Sequence, residues 1–500
     1  MYNGDTVDVL PTALYRANQI REFDRRAIEE LHIPAYELMN RAGAAALAFA
    51  RIRFLNNQLS NKRITVVCGA GNNGGDGYVF ARLAQAAGAH VTVVAITSIE
   101  HLQADAATAA QAWLSAGVVV NTWESLATAD LIVDALLGIG LQREVEGRFA
   151  EVIHAINNAQ APILALDLPS GLHADTGRVL GVAVCATATI TFVGLKQGLF
   201  TAAATDHVGE LVFDDLMLPL CTETSAAAQR LTLKHLRACQ KPRARNAHKN
   251  SYGHVLIIGG DQGMSGAVLL AAVAALRCGA GLVTIATRIE HASALNVGHP
   301  ELMVHGVDTG SELLSLIQRA DVIAIGPGLG QSKWARRLFS QVLLQHKPLI
   351  VDADALNLLA QDPVKHRDWI LTPHPGEAAR LLNVTTTTIQ HDRFHAAKAL
   401  SERFGARIVL KGAGSLVCEP EHLDISLCDR GNSGMATAGM GDVLTGVIAA
   451  LLAQGFSLTE AARMGVLLHA CAGDRAAGQT PRGLIASDMW NPLRDLVNGI

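Results

Sequence analysis

The stretch ITVVCGAGNNGGDGYVFARLAQAAG, residues 64–88, decides the fold of the first half of the chain. A β-branched apolar run, a glycine-rich turn and a helical pattern follow one another, which is how a strand–loop–helix unit reads. The loop would offer backbone N–H groups at a helix N-terminus to an anion. Gly69, Gly71 and Gly74 satisfy Gly-x-Gly-x-x-Gly. In the dinucleotide-binding form of that loop, an acid about 20 residues further on ends the second strand and takes the ribose. Here the second strand, HVTVVAI, runs into Thr97 and Ser98, and Glu100 comes too late. Half of the fingerprint is missing. Asn72, Asn73 and Asp76 instead add side-chain oxygens suited to a hard cation or to sugar hydroxyls. Turn-forming asparagines and a helix-capping aspartate would account for them equally well.

Moving outward, apolar residues recur at helical spacing from Ala17 to Ala50, with a break at Pro34. Helical patterns over 102–116 and 147–159 then alternate with the runs LIVDALLG and PILALDLP, and ATITFVGLKQGLF and ELVFDDL read as closing strands. Such alternation predicts a parallel sheet covered on both faces. Asp134 ends one buried strand, and Asp167 and Ser170 follow the next. Ligands of open parallel sheets bind at that carboxyl edge, and a buried carboxylate there can act as acid or base. Capping explains each acid singly but not all three together.

A polar, then basic stretch over 219–252 interrupts the pattern, and the domain boundary is placed at 225/226. Within it, KPRARNAHK (241–249) reads as a solvated connection for Arg243 and Arg245, with Lys249 free to reach a phosphate. A second α/β alternation begins at HVLIIGG and runs through ADVIAIGPG, PLIVDADAL, DWILTPHP and RIVLKGAGSLV. In NSGMATAGMGDVLTGVIAALLAQG (432–455), Gly439, Gly441 and Asp442 stand directly before an apolar helix. Free amides there would stabilise a developing negative charge while Asp442 takes a proton from a hydroxyl. A plain N-cap aspartate is the alternative, but the long run of glycine and alanine exceeds what a cap needs. The Lys411 loop can hold phosphates or be a simple hairpin turn. His374 lies in a rigid turn between prolines, with Glu377 at a helix start, and 259–268 and 325–330 add two more glycine-rich turns.

The 500 residues are 50% hydrophobic and 17% charged, enough for two sizeable cores. Lys plus Arg total 41 against 45 acids, so nothing points to nucleic acid. Eight scattered cysteines, none in a C-x-x-C pair, predict reduced and mostly buried thiols. The apolar stretches are too broken for a membrane span, and the N-terminus lacks the pattern of a signal peptide. A cytoplasmic location, no membrane partner and a homo-oligomer are expected.

NNGGDG, the DALLGIG loop, DLPSGLHADTG and the preceding ELMNRAG helix resemble the NAD(P)H-hydrate epimerase family, over about residues 17–220. That resemblance implies a Rossmann-like three-layer sandwich that interconverts the R and S forms of hydrated NADH and NADPH. It implies a substrate cradle of Asn72, Asn73, Gly74, Gly75 and Asp76 with Gly138, Ile139, Gly140, Leu141, Gln142, Arg143 and Glu144. A potassium ion on Asn73, Asp134 and Ser170, and Asp167 as acid–base, are also implied.

Over about 230–500 the chain resembles the ribokinase-like superfamily, in its NAD(P)H-hydrate dehydratase branch. Implied there are an α/β domain with Asp442 as catalytic base and Ala267, Gly330 and His374 lining the hydrate site. Lys411, Gly412, Ala413, Gly414, Ser415 and Gly441 would bind the nucleotide, ADP in preference to ATP, with magnesium bridging phosphates. The second reading is a vitamin-precursor type of small-molecule kinase fused to a non-catalytic nucleotide-binding or oligomerisation domain.

Overall fold

The computed structural model describes residues 9–218, 225–239 and 242–499. The chain divides into two compact units that part between Ala228 and Gln229, against 225/226 from the sequence. In the first unit, seven strands pair in parallel in the spatial order Val119–Val120, His90–Ala95, Arg63–Cys68, Leu131–Ala135, Ile163–Leu166, Ala188–Phe192, Glu210–Asp214. Alternate residues of one strand serve different cores, as the period of a strand requires. Ile64, Val66 and Cys68 pack with the helices Ala35–Arg53, Asn72–Ala86 and Ala104–Leu114. Val67, Val94 and Ile132 face helix Gly147–Asn158 through Val152, Ile153 and Ile156. Helices on both faces therefore make three layers.

Strand order reverses beside Arg63–Cys68, whose neighbours are the next strand in the chain on one side and Leu131–Ala135 on the other. Such a switch point leaves a crevice at the carboxyl ends. A short parallel pair, Ala13–Tyr15 with Leu195–Lys196, sets Lys196 opposite Tyr15.

The second unit repeats the logic on a larger sheet. Its parallel order is Met303–Gly306, Leu282–Thr287, His254–Ile258, Val322–Ile325, Leu349–Val351, Trp369–Leu371, Arg407–Leu410. Two antiparallel strands, Ser415–Cys418 and Ile425–Cys428, extend it, and Ala228–Arg230 joins the last of them. The main core packs helices Ser265–Arg277, Met440–Ala453 and Leu458–Ala477 against the sheet. Here the switch lies beside His254–Ile258. The loop following that strand is tied to the loop after Val322–Ile325 by Gly260 N to Pro327 O at 3.0 Å and Asp261 N to Gly328 O at 2.6 Å.

Five of the six described cysteines, Cys68, Cys278, Cys418, Cys428 and Cys471, are buried, and Cys185 is exposed. Cys221 and Lys241 lie outside the described residues, as does the side chain of Cys239. Arg243 is not simply solvated. Its guanidinium covers the Tyr252 ring at 3.8 Å and donates to the Gly279 carbonyl and to Gln454 Oε1. Arg245 and Lys249 are exposed.

Candidate active sites

In the first unit the glycine loop does two jobs. A side chain at Gly74 would strike the Gly69 carbonyl oxygen, so this glycine permits the loop to fold back on the helix start. Gly75 is buried beneath Met39. Gly71 and Asn72 are exposed at the mouth instead. Across the switch point, the loop 138–144 is mostly exposed, and Ile139 O accepts from Arg21 at 3.1 Å. Gln142 lies 3.4 Å from His173, and Glu144 pairs with Arg178.

Asp134 and Ser170 are both fully buried and bonded to each other. Ser170 Oγ donates to Asp134 Oδ1 at 2.6 Å, and Ser170 N donates to Oδ2 at 2.8 Å. Burial pushes the Asp134 carboxyl up to about 6, against those hydrogen bonds, which pull it down. Asn73 Nδ2 donates to Leu137 O at 3.1 Å, and Leu137 N donates to Ser170 Oγ at 2.8 Å. The Asn73 Oδ1 atom is buried and has no hydrogen-bond partner. An orphaned oxygen beside a carboxylate, a hydroxyl and a carbonyl is an oxygen-only donor set, which fits a hard monovalent cation.

Asp167 follows strand Ile163–Leu166 in a left-handed backbone conformation, φ +67°. That strain is tolerated where surrounding contacts fix it. Lys196, 1% exposed, pairs with Asp167 and also donates to Thr191 Oγ1 at 3.0 Å and Phe192 O at 2.8 Å. Asp76 and Asp24 complete the group. Burial, then Asp167 and Asp24, push the Asp76 carboxyl well above the usual range, against the pull of Lys196. Burial likewise raises Asp24 to about 6, with Lys196 opposing and Asp167 adding. The reading from sequence missed Lys196 and Asp24. A lysine inside the apolar run ITFVGLKQGLF was the available signal for the first.

The second unit builds its site around Lys411, which directly follows strand Arg407–Leu410. Its ammonium donates to Asp352 Oδ1 at 2.8 Å and lies 3.8 Å from Glu377. Burial alone would lower Lys411, but Asp352 and Glu377 carry it upward. Burial alone would raise Asp352, yet Lys411 and the hydroxyls of Thr445 and Thr372 hold it below its ordinary range. Thr445 Oγ1 donates to Asp352 Oδ2 at 2.7 Å.

Asp442 lies one turn before Thr445 on helix Met440–Ala453, in its first turn. Gly439 precedes that helix at φ +88°, a conformation that favours glycine. Ala436, Thr437 and Ala438 before it are exposed, which leaves the helix start open to a ligand. Burial first, then Asp352, push Asp442 up to about 7, with Lys411 opposing. A Cβ at Gly441 would lie 3.2 Å from the Lys411 ammonium, so helix start and lysine are adjacent. His469, pushed down to about 4 by burial, places Nε2 2.9 Å from the Met440 carbonyl oxygen and braces the same turn.

The 411–415 loop is closed by Ser415 Oγ, which donates to Gly412 O at 2.9 Å. Gly412 and Ala413 are exposed and Gly414 is buried. Behind it, the buried Arg393 guanidinium donates to Leu410 O, Lys411 O and Gly414 O at 3.2–3.3 Å. His374 caps helix Pro375–Leu382, its Nδ1 accepting from Gly376 N at 2.9 Å, and burial lowers its pKa. Burial raises Glu377 to about 7. Gly330 N donates to Asp354 at 2.9 Å, while Ala267 lies on the opening turn of its helix against Gly328. Asp352, Thr445 and Arg393 were not read from the sequence.

Two α/β units, each with charged groups at the carboxyl edge of a parallel sheet, define a two-site enzyme. Comparison with known proteins makes the class specific. Residues 35–198 match the family model described as YjeF-related protein N-terminus, and residues 255–492 match that of NAD(P)H-hydrate dehydratase. The bifunctional NAD(P)H-hydrate repair enzyme Nnr of Coxiella burnetii is 47% identical over 97% of this chain and 100% of its own length. That of Escherichia coli K12 is 44% identical over 98% of this chain and 95% of its own. A Bacillus subtilis ADP/ATP-dependent NAD(P)H-hydrate dehydratase, co-crystallised with ATP and Mg2+, is 31% identical at a TM-score of 0.50, covering 54% of this chain and 97% of that one. The chain belongs to the family of bifunctional NAD(P)H-hydrate repair enzymes.

Proposed function

We propose that the first unit interconverts the R and S hydrates of NADH and NADPH and that the second returns the S hydrate to the reduced nucleotide at the expense of ADP. The observation that carries this is a complete charged site at the sheet edge of each unit within one chain. In the first, Asp167 exchanges protons with the hydrated ring while the loops 72–76 and 138–144 hold phosphates and ribose. Asn73, Asp134, Ser170 and the Leu137 carbonyl would hold potassium, which supplies a fixed positive charge beside the substrate.

In the second, Asp442 takes the proton of the ring hydroxyl as that oxygen attacks the terminal phosphoryl group of ADP. Its elevated pKa suits a base working near neutrality. Lys411, Gly412, Ala413, Gly414, Ser415 and Gly441 hold the nucleotide phosphates, and Ala267, Gly330 and His374 line the hydrate pocket. The phosphate ester is a better leaving group than hydroxide, so phosphate departs with its bonding electrons, a ring proton is lost, and NAD(P)H is restored. Among the described residues no group of three or more His, Cys, Asp or Glu gathers as a metal cage. Magnesium is assigned to the nucleotide, as the metal–ADP substrate, in keeping with the ATP and Mg2+ of the similar Bacillus subtilis dehydratase. No described helix is long and apolar enough to cross a membrane. We place the chain in the cytoplasm, as a homo-oligomer.

The test uses separated R and S hydrates of NADH, the full chain and ADP or ATP, with NADH absorbance as readout. The wild type is expected to consume both epimers, faster with ADP. Asp442→Asn should abolish recovery from either, and Asp167→Asn should leave the R form to its spontaneous rate while the S form is still repaired. Full activity of Asp442→Asn, or accumulation of a stable phosphorylated product as a simple kinase would give, would overturn the reading.

A further inference from the structure

Four ionisable side chains influence one another at the carboxyl edge of the first unit: Asp76 in the opening turn of helix Asn72–Ala86, Asp167 just past strand Ile163–Leu166 and bonded to Lys196, and Asp24 from helix Ala17–Glu29. One ammonium stands against three carboxyls, and neighbouring like charges disfavour one another's ionised form. Lys196 spends its three N–H bonds on Asp167, Thr191 and Phe192, so its charge is committed to Asp167. The Asp76 carboxyl, among the described residues, makes no hydrogen bond, and the residue keeps part of its surface accessible. It is sheltered, reachable and unpartnered.

That placement is poor for a phosphate contact. A carboxylate repels phosphate, and the exposed mouth of the site is formed by Gly71, Asn72 and the 138–144 loop instead. It is well suited to a proton donor. Moving a hydroxyl from one face of a ring carbon to the other, where that carbon is bonded to the ring nitrogen, needs an acid for the departing oxygen and a base for the returning one.

We propose that Asp76 is a second catalytic residue of the first site, donating the proton that lets the ring hydroxyl leave while Asp167 accepts the proton of the water that returns. This rests on the reading of that site as the epimerase. The C–O bond breaks with its electron pair remaining on oxygen, which departs as water carrying the Asp76 proton. The ring nitrogen lone pair closes a C=N bond in its place. Water then adds to the opposite face, its oxygen supplies the new C–O electron pair, and Asp167 removes the extra proton. The resulting enzyme, with Asp76 ionised and Asp167 protonated, runs the opposite direction, so nothing is oxidised and no co-reactant is needed. Burial and its two carboxylate neighbours push the Asp76 carboxyl upward, which favours the protonated form a proton donor needs. The thiol of Cys68, raised by burial and by Asp134 and Asp76, is neutral there and adds no competing charge.

The experiment is the interconversion of R and S hydrates by the full chain without nucleotide, followed chromatographically, with S-hydrate repair in the presence of ADP as an internal control of folding. Asp76→Asn is expected to lower kcat for interconversion by about 100-fold or more, the usual worth of a positioned acid, with KM little changed and S-hydrate repair intact. Asp76→Glu keeps an acid one methylene further out and should regain part of the loss. A raised KM at unchanged kcat, or equal losses in the Asn and Glu variants, would overturn the proposal. A wild type that fails to interconvert the epimers defeats the epimerase reading itself. Interconversion by both wild type and Asp76→Asn defeats only the acid role.

Discussion

In the first unit Lys196 acts on Asp24, Asp76 and Asp167, and in the second Lys411 acts on Asp352, Glu377 and Asp442, but the two sets are paired differently. In the first, Lys196 is bonded to Asp167, the residue assigned to the chemistry, and Asp76 and Asp24 stand off. In the second, Lys411 is bonded to Asp352, which is saturated from behind by Thr445, and Asp442 is left without a hydrogen bond to its carboxyl among the described residues. The same inventory thus gives two outcomes. Pairing the lysine with the reacting carboxylate leaves a neighbouring carboxyl to carry the proton, and two groups can then work as acid and base. Pairing it with a bystander leaves one carboxyl whose pKa, near 7, is set first by burial and then by Asp352 against Lys411.

Removing the lysines breaks the comparison most directly. Lys196→Met leaves the half-buried Asp167 without its cation, and unpairing a buried bridge costs up to roughly 3–5 kcal/mol. Interconversion of the epimers should fall on the order of 100-fold or more while S-hydrate repair persists. Lys411→Met should do the reverse, abolishing NADH recovery and sparing interconversion. Measuring both activities on each variant checks this, and loss of both activities from either variant would show that the two sets are not separable.

A finer test moves the second site's balance without touching its base. Asp352→Asn removes the carboxylate that raises Asp442 and frees Lys411, which lowers it. The pKa of Asp442 should therefore drop. Because the base works when deprotonated, the acidic limb of the pH profile of kcat/KM for S-hydrate repair should move from near 7 toward lower pH. A displacement of about one unit corresponds to roughly 1.4 kcal/mol of altered interaction. An unmoved limb would mean that Asp442 is insulated from the Asp352–Lys411 pair.

Much of this architecture was legible in the chain because it rests on short-range pattern. Continuous Val/Ile/Leu strands, glycine turns and helical runs marked both parallel sheets, and strand-end acids marked Asp134 and Asp167. Asp352 carries the same strand-end signature in PLIVDADAL, yet its importance depends on Lys411 and Thr445, which lie 59 and 93 residues away. Asp24 sits on an ordinary amphipathic helix that becomes part of a site only by packing. Arg393 supports the 411–415 loop from behind, through carbonyls that no spacing reveals. Gly74 shows the opposite limit: a pattern glycine read as cradle is held there by contact with Gly69.

The smallest expected effect concerns stability. Asp442 has an ordinary value of 3.8 and is raised to about 7 in the fold. Between those values the native state binds more protons than the unfolded chain at this position, so its contribution to stability declines as pH rises through that interval. Glu377, raised to about 7, acts in the same sense. His469, lowered to about 4 by burial, acts in the opposite sense, because an imidazole that stays neutral in the fold gains stability as pH rises. The slope of Tm against pH in the wild type alone therefore mixes opposing terms, and the informative quantity is the difference between two proteins. Asp442→Asn removes one of them and leaves Glu377 and His469 in place. Its Tm relative to the wild type should climb between pH 5 and pH 8, by roughly 2–4 °C for each kcal/mol of relieved burial. A difference that stayed flat across that interval would mean that the Asp442 carboxyl is ionised in the fold throughout, and that the second site does not hold its base near neutrality.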